Sequence, residues 1–120
     1  MKKGIFAIIL IISTLTACSR TNVLVLTERG GQHGSFTDAG LAWLEERGRE
    51  LGFTVTEINS ASPINKSFLE KFDLIIQLDF PPYTWTDKAA EAFISYIEDG
   101  KGGWIGFHHA TLLGEFDGYP

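Results

Sequence analysis

The sequence predicts an α/β domain built on a doubly wound parallel sheet in the flavodoxin-like order. Short apolar runs alternate with amphipathic stretches along the chain, and two of the runs, VLVLT and DLIIQLDF, are largely aliphatic. Such runs are typical of strands in a parallel sheet whose two faces are both covered. Alternation of β and α elements in turn favours parallel strands joined by right-handed crossovers.

Four strands are predicted, at Val23–Thr27, Phe53–Ile58, Asp73–Phe80 and Gly103–Phe107. The first and third are the most apolar, so we place them in the centre of the sheet. The second alternates apolar and polar residues, which indicates an edge strand with one face partly in water. The spatial order 2-1-3-4 follows.

The first helix is predicted to begin around Ser35 and Asp38, because the spacing S-x-x-D resembles a capping box. Gly52 is predicted to end it, and Trp43 is expected to be partly buried. Helical spacing predicts an inner face made of Leu41, Leu44, Gly48 and Leu51.

Between the second and third strands, Ser60–Phe72 leaves room for little more than one helical turn. A further helix is predicted to begin at the cap residue Thr86 and to stop at Gly100. Its predicted inner face consists of Ala89, Phe93, Tyr96 and Ile97.

The predicted order leaves Trp104–Phe107 as a bare, apolar sheet edge. Natural edges are usually short, charged or covered. We therefore expect the domain to be truncated at its C-terminal end, with at least one further strand and helix after Pro120, or with a partner that supplies them. Self-association through this edge is one such arrangement, and a small complete domain with a tolerated edge is the alternative.

The N-terminal segment resembles a bacterial lipoprotein signal peptide. Lys2 and Lys3 precede an apolar run that is shorter than the roughly 20 residues a membrane span needs, which disfavours the alternative of a transmembrane anchor. Leu15-Thr16-Ala17-Cys18 resembles a lipobox, in which the cysteine receives the lipid. The predicted organisation is a signal peptide at 1–17, a lipidated tether at 18–22 and one domain at 23–120, held on the membrane of the cell envelope.

Charge and cysteine content narrow the function further. The formal net charge is −5, and it becomes −7 once residues 1–17 and their two lysines are removed. An acidic chain lacks the positive patch that nucleic acids select, so we expect no nucleic-acid partner. Cys18 is the sole cysteine, so a lipidated chain keeps no thiol for disulfides or nucleophilic catalysis.

Three loops are expected to meet at the carboxyl ends of the strands, where open α/β sheets bind ligands. They are ERGGQHGSF after the first strand, DFPPYTW after the third and HHATLLGEFDGYP after the fourth. All three histidines of the chain, His33, His108 and His109, fall in these loops. This concentration predicts a ligand site.

The same segments resemble the ThuA-like family, named for trehalose utilisation. The resemblance covers nearly the whole chain after the signal peptide, and its most specific part is Gly102-Gly103-Trp104-Ile105-Gly106-Phe107-His108, together with His33 in the first loop. It implies a class I glutamine amidotransferase-like domain, flavodoxin-related, in proteins that are usually longer than this chain. In amidotransferase relatives the turn after this strand carries a nucleophilic cysteine. Here His108 occupies it, so the resemblance implies the fold and not the cysteine-dependent reaction.

His108 and His33 are the predicted catalytic residues, because neutral histidine suits proton transfer near working pH. Three alternatives stay open: hydrogen bonding to a ligand without catalysis, a structural role, and metal ligation. In the last, a divalent metal such as zinc would be held by these histidines or His109 with a carboxylate from Glu28, Glu115 or Asp117. His109 is otherwise expected to satisfy backbone carbonyls or to contact substrate.

The predicted substrate-binding residues besides His109 are Glu28, Gly31, Tyr83 and Trp85. Tyr83 and Trp85 can stack on a sugar ring, with core or rim packing as the alternative. The glycines around Gly31 allow backbone N–H groups to approach an anion, with a plain turn as the alternative.

The resemblance and the three-loop crevice together predict a lipid-anchored protein of carbohydrate metabolism that acts on or binds a trehalose-like sugar or a polysaccharide derivative. The alternatives are a non-catalytic carbohydrate-binding component of the cell surface and a metal-dependent hydrolase that uses His33 and His108. No cofactor is established by the sequence, and it does not decide between an enzyme and a binding protein.

Overall fold

The computed structural model of the chain describes residues 20–29, 31–79, 85–107 and 110. The strands are β1 (Asn22–Leu26), β2 (Thr54–Ile58), β3 (Leu74–Gln77) and β4 (Gly103–Gly106). The helices are α1 (Gly34–Leu51), α2 (Lys66–Leu69) and α3 (Asp87–Glu98), and a short 3₁₀ turn at Gly31–His33 leads into α1.

The four strands form one parallel sheet in the order β2-β1-β3-β4. β1 lies between its two parallel neighbours, with Val25 opposite Glu57 of β2 and opposite Ile76 of β3. β4 pairs in parallel with β3, with Ile105 opposite Ile76. The flavodoxin-like order predicted from the apolar runs is confirmed. β1 has the predicted length but begins and ends one residue earlier, and the other three strands are one to four residues shorter than predicted.

Alternate residues of the central strands face two separate cores, as the period of two in a strand requires. Val23 and Val25 pack beneath α1, whereas Leu24 and Leu26 pack on the side of α2 and α3. Both central strands are therefore covered on both faces, which explains the consecutive aliphatic residues Val23–Leu26 in β1 and Leu74–Ile76 in β3.

The ends of α1 correct one prediction and confirm another. The helix begins at Gly34, its N-cap residue is His33, and no side chain caps it, so Ser35 and Asp38 do not form the predicted capping box. The reason is that the 3₁₀ turn runs directly into the helix. Gly52 ends the helix as predicted, with a left-handed φ of 82° and its N–H bonded to the carbonyl oxygen of Gly48.

Three predicted positions on the helix surfaces are wrong. Leu51 is 74% exposed because α1 ends there and the chain turns toward β2. Trp43, which was expected to be partly buried, is 59% exposed, and Ile97, which was expected on the inner face of α3, is 41% exposed. The other predicted inner-face residues of both helices are buried: Leu41, Leu44 and Gly48 in α1, and Ala89, Phe93 and Tyr96 in α3.

The cap of α3 is confirmed, since the Thr86 hydroxyl accepts the Ala89 N–H at 3.2 Å. The predicted single turn between β2 and β3 is α2, which has four residues and is capped by Asn65. Among the described residues, no helix is long and apolar enough to cross a membrane.

Candidate functional site at the carboxyl ends of β1 and β3

The sheet changes its winding direction between β1 and β3. From β1 the chain passes through α1 to β2 on one side, and from β3 it passes through α3 to β4 on the other. Open α/β sheets bind ligands in the crevice that this reversal creates at the carboxyl ends of the strands. The loop from Thr27 to His33 after β1 and the two residues Leu78 and Asp79 after β3 meet there.

Asp79 is the centre of this crevice, and only 1% of it is exposed. Its Oδ1 accepts the backbone N–H of Glu28 at 2.8 Å, and its Oδ2 accepts the Thr37 hydroxyl at 2.5 Å. A buried carboxylate is costly unless hydrogen bonds compensate for lost water. These two bonds tie the end of β3 to the loop after β1 and to the first turn of α1.

Asp79 was missed by the sequence reasoning. The loop DFPPYTW was predicted to contribute to the site, but its first carboxylate was not selected. The available signal was a single acidic residue directly after an aliphatic strand, at a position where the sheet itself buries the side chain.

Glu28 and His33 lie in the first loop, as predicted, and both are half-buried. His33 lines an open cavity of about 330 Å³ together with Phe36, Leu78 and Asp79. Gly31 opens the 3₁₀ turn that brings His33 there. The structure thus brings an imidazole and a buried carboxylate to one cavity, with Glu28 held beside them through its backbone.

A second set of contacts fixes the same loop from the outside. Arg29 has a left-handed φ of 55°, which is uncommon for a residue other than glycine. Its guanidinium hydrogen-bonds both carboxylate oxygens of Glu57 at the end of β2 and reaches Oδ1 of Asp38 in α1 at 2.7 Å. The loop is therefore bound to β2, to α1 and, through Asp79, to β3.

Glu57 is the anionic partner in this set. Its Oε1 also accepts the hydroxyl of the buried Thr27 at 2.6 Å. The hydrogen bonds from Arg29 lower the pKa of the Glu57 carboxyl, against the opposing effect of partial burial, and the Thr27 hydroxyl lowers it further. Neither Arg29 nor Glu57 was singled out from the sequence.

Trp85 requires a correction. The side chain is 6% exposed and packs edge-on against Phe93, with ring centroids 5.2 Å apart. Its ring belongs to the core under α3, so the packing alternative holds for Trp85 and the sugar-stacking role does not. The residue lies just before Thr86, the cap of α3, at the edge of that core.

Several predicted residues lie outside the described part of the chain: Cys18, Tyr83, His108, His109, Glu115 and Asp117. Their assigned roles stay predictions. Within residues 20–29, 31–79, 85–107 and 110, no group of three or more histidine, cysteine, aspartate or glutamate side chains is placed to hold a metal ion. The predicted ligand sets combined His33 and Glu28 with residues beyond those ranges.

A model of the ThuA family, described as trehalose utilisation, matches residues 22–118. The chain belongs to the ThuA family. The match spans all four strands and the loops that follow them, so the family assignment and the crevice concern the same part of the protein.

A solved structure shows the same fold. A ThuA-like protein from Bacteroides uniformis superposes with a TM-score of 0.68 at 25% sequence identity, over 80% of this chain and 38% of that chain. This ThuA chain thus spans well under half the length of that relative. No curated protein sequence matches the chain described here.

Proposed function

We propose that this ThuA-family protein serves carbohydrate metabolism by binding a trehalose-like sugar, or a derivative of one, in the crevice between β1 and β3. The family description supports the substrate class. The observation that carries the proposal is the position of Asp79, which immobilises the Glu28–His33 loop at the point where the sheet reverses.

The chemistry of the crevice suits a polyhydroxylated ligand. The Glu28 carboxylate is a hydrogen-bond acceptor for sugar hydroxyls, and the His33 imidazole both donates and accepts. An imidazole beside a bound sugar is also able to move a proton at neutral pH, which is the catalytic role proposed for His33 and for His108. Phe36 and Leu78 give the cavity an apolar wall on which a sugar ring packs.

Binding is tested by thermal shifts of the full chain against trehalose, maltose, glucose and a sugar-acid panel. A ligand that binds the native state raises the Tm by mass action. We expect a shift with a trehalose-like sugar that is lost in His33→Ala and retained in Glu91→Ala, a matched change on the exposed face of α3. Equal shifts in both variants would place the sugar elsewhere.

Turnover separates the enzyme from the binding component. If His33 transfers a proton, His33→Ala lowers kcat while His33→Gln, which still hydrogen-bonds, retains sugar affinity. Affinity without product formation in the unmodified protein would leave the non-catalytic carbohydrate-binding role. The metal-dependent hydrolase is tested in the same assay, since it requires that a chelator stop turnover and that added zinc restore it.

We further propose that lipid on Cys18 holds the protein on the envelope membrane. The supporting observation is the complete four-residue lipobox behind a basic, apolar leader. Metabolic labelling with a tagged fatty acid should mark the protein in membranes, and Cys18→Ser should abolish the label. Unchanged labelling of that variant would contradict the assignment.

A further inference from the structure

The two ends of the sheet differ in what they carry. The four strands are parallel, so their carboxyl ends share the end with the crevice and their amino ends share the opposite one. Each helix crosses back from the crevice end, so its C-terminal end lies beside the strand starts. We call this opposite surface the amino-end face; it consists of residues 20–22, 49–54, 70–74 and 98–103.

The chain enters the sheet at the amino-end face and is fixed there from Thr21 onward. The Thr21 carbonyl oxygen accepts the N–H of the first residue of β2 at 2.9 Å. Asn22 and Asp73 bond each other twice: the Asn22 N–H donates to the Asp73 carboxylate at 2.7 Å, and the Asp73 N–H donates to the Asn22 carbonyl oxygen at 2.9 Å. Only residues 19 and 20 therefore separate Cys18 from polypeptide that two neighbouring strands hold.

A tether of this length determines which end of the domain can approach a membrane. An extended chain spans at most about 3.6 Å per residue, so Cys18 lies no more than about 11 Å from Thr21. Helix α1, with 18 residues at about 1.5 Å each, extends about 27 Å from the amino-end face to the crevice end. A lipid on Cys18 that is inserted in a bilayer therefore holds the amino-end face near the headgroups and the crevice away from them.

An exposed hydrophobic side chain lies on the same face. Leu51 is the last residue of α1 and is 74% exposed. It precedes Thr54, the partner of Asn22 in the sheet, by three residues, so it lies within about 11 Å of that strand start. At the boundary between headgroups and acyl chains, a leucine buries its apolar surface as the apolar face of an interfacial helix does.

The distribution of charge favours the same orientation. The amino-end face has four lysine or arginine residues and five acidic residues, a formal charge of −1. The crevice end, taken as residues 27–29, 31–38, 57–59, 78–79 and 85–88, has two and five, a formal charge of −3. Anionic lipid repels the crevice end more strongly. The acyl chains provide the anchoring, whereas the short tether and the charge decide which end faces the lipid.

We propose that the amino-end face rests on the bilayer with Leu51 at the headgroup boundary, so that the crevice opens toward the aqueous side. This orientation rests on the lipid attachment proposed for Cys18. It also limits the class of ligand. A sugar in solution reaches the crevice, whereas a sugar still joined to a membrane lipid lies at the opposite end of the domain.

Fluorescent labels at two positions of one helix measure the orientation. Cys18 is the sole cysteine, so a cysteine introduced into the lipidated chain is its sole free thiol. Leu51→Cys and Ser35→Cys place that thiol at exposed positions about 24 Å apart, at the two ends of α1. The lipidated full-length variants are purified from membranes, labelled with bimane and inserted in vesicles of phosphatidylethanolamine and phosphatidylglycerol that contain a lipid with a spin-labelled headgroup.

We expect the spin-labelled lipid to remove most of the fluorescence at position 51 and to leave the fluorescence at position 35 as it is in vesicles without the quencher. Equal quenching at both positions, stronger quenching at position 35, or none at either in vesicle-bound protein would overturn the orientation. Flotation of the same vesicles reports the anchor separately. A chain that does not float lacks the lipid, and the anchoring and the orientation then both fail; a chain that floats with the wrong quenching pattern refutes the orientation alone.

Discussion

At the scale of single residues, the carboxylate of Asp79 determines the shape of the crevice. Its two hydrogen bonds, to the N–H of Glu28 and the hydroxyl of Thr37, connect residues that are 51 and 42 positions away in sequence. Both partners belong to the segment that carries His33. Loss of the Asp79 carboxylate should therefore disorder the candidate site and leave the sheet intact.

Replacing Asp79 by alanine leaves the Glu28 N–H without its acceptor, while the Thr37 hydroxyl keeps the carbonyl oxygen of His33 at 3.2 Å. An unsatisfied buried group costs about 1–3 kcal/mol, so we expect Asp79→Ala to lower the free energy of unfolding by an amount in that range, measured by urea titration. Asp79→Asn retains the volume and one acceptor oxygen and should lose clearly less. Equal stability of the alanine variant and the unmodified protein would show that these bonds do not hold the loop.

Gly102 lies against the core at the approach to β4. A methyl group there would come within 1.8 Å of the Tyr96 hydroxyl oxygen and 2.5 Å of the Asp73 carbonyl oxygen. The Tyr96 hydroxyl donates to the Phe72 carbonyl at 3.1 Å and has little freedom to move. The glycine is thus required by close backbone approach, in addition to its place in the family motif.

Gly102→Ala should therefore destabilise the protein by about 1–3 kcal/mol, the usual range for overpacking. Gly34→Ala is the control, because a methyl group at Gly34 meets nothing within 4 Å. That change should be neutral or slightly stabilising in thermal unfolding. Similar Tm values for the two variants would contradict the close contact at Gly102.

At the scale of elements, the loop after β1 is held to β2 by the ion pair between Arg29 and Glu57. The pKa of Glu57 is lowered in the folded protein relative to its ordinary value of 4.5, chiefly by the hydrogen bonds from Arg29. A carboxyl whose pKa is lowered by folding stabilises the folded state above the pKa of the unfolded chain. That contribution is lost as the pH falls through the lower, folded-state value.

The unmodified protein should consequently lose more stability than Glu57→Gln when the pH is lowered from about 6 to about 3. Urea unfolding at several pH values gives the free energy of unfolding of both proteins, and the difference between them should become smaller toward acid pH. A higher salt concentration should also reduce this difference, since Arg29 and Glu57 are partly exposed. If the two free energies change with pH in the same way, the ion pair contributes nothing to folding.

The elements also show what the sequence could predict. Val23–Leu26 and Leu74–Ile76 are aliphatic because both faces are covered, so periodicity alone located the central strands and their order. Gly52 and Thr86 act through local backbone geometry and were likewise predictable. Leu51, Trp43 and Ile97 were not, because spacing defines a helix face but does not show how far the neighbouring layer extends over it.

The candidate site was predictable only in part for a related reason. Strand order placed the loop of Glu28 and His33 correctly, since the carboxyl ends of parallel strands share one edge. The contacts of Asp79 and Arg29 join residues far apart in sequence, and no local pattern predicts such pairs. Trp85 was misjudged because a stacking tryptophan and a core tryptophan look the same in sequence.

At the scale of the whole molecule, the described residues form a four-stranded parallel sheet with the candidate crevice at the carboxyl ends of β1 and β3 and an apolar groove along α1 and β4. The crevice lies between β1 and β3, whereas the groove lies between α1 and β4. Phe36 lines both, so the crevice and the groove share one aromatic side chain.

The most direct test of the account is to map trehalose binding onto the backbone amides of the full chain by NMR titration. The account predicts saturable shifts confined to the segment from Glu28 to Thr37 and to Leu78 and Asp79, and their loss in His33→Ala. Shifts centred on α2 and α3, or no shifts at all, would contradict the assignment of the crevice as a sugar site.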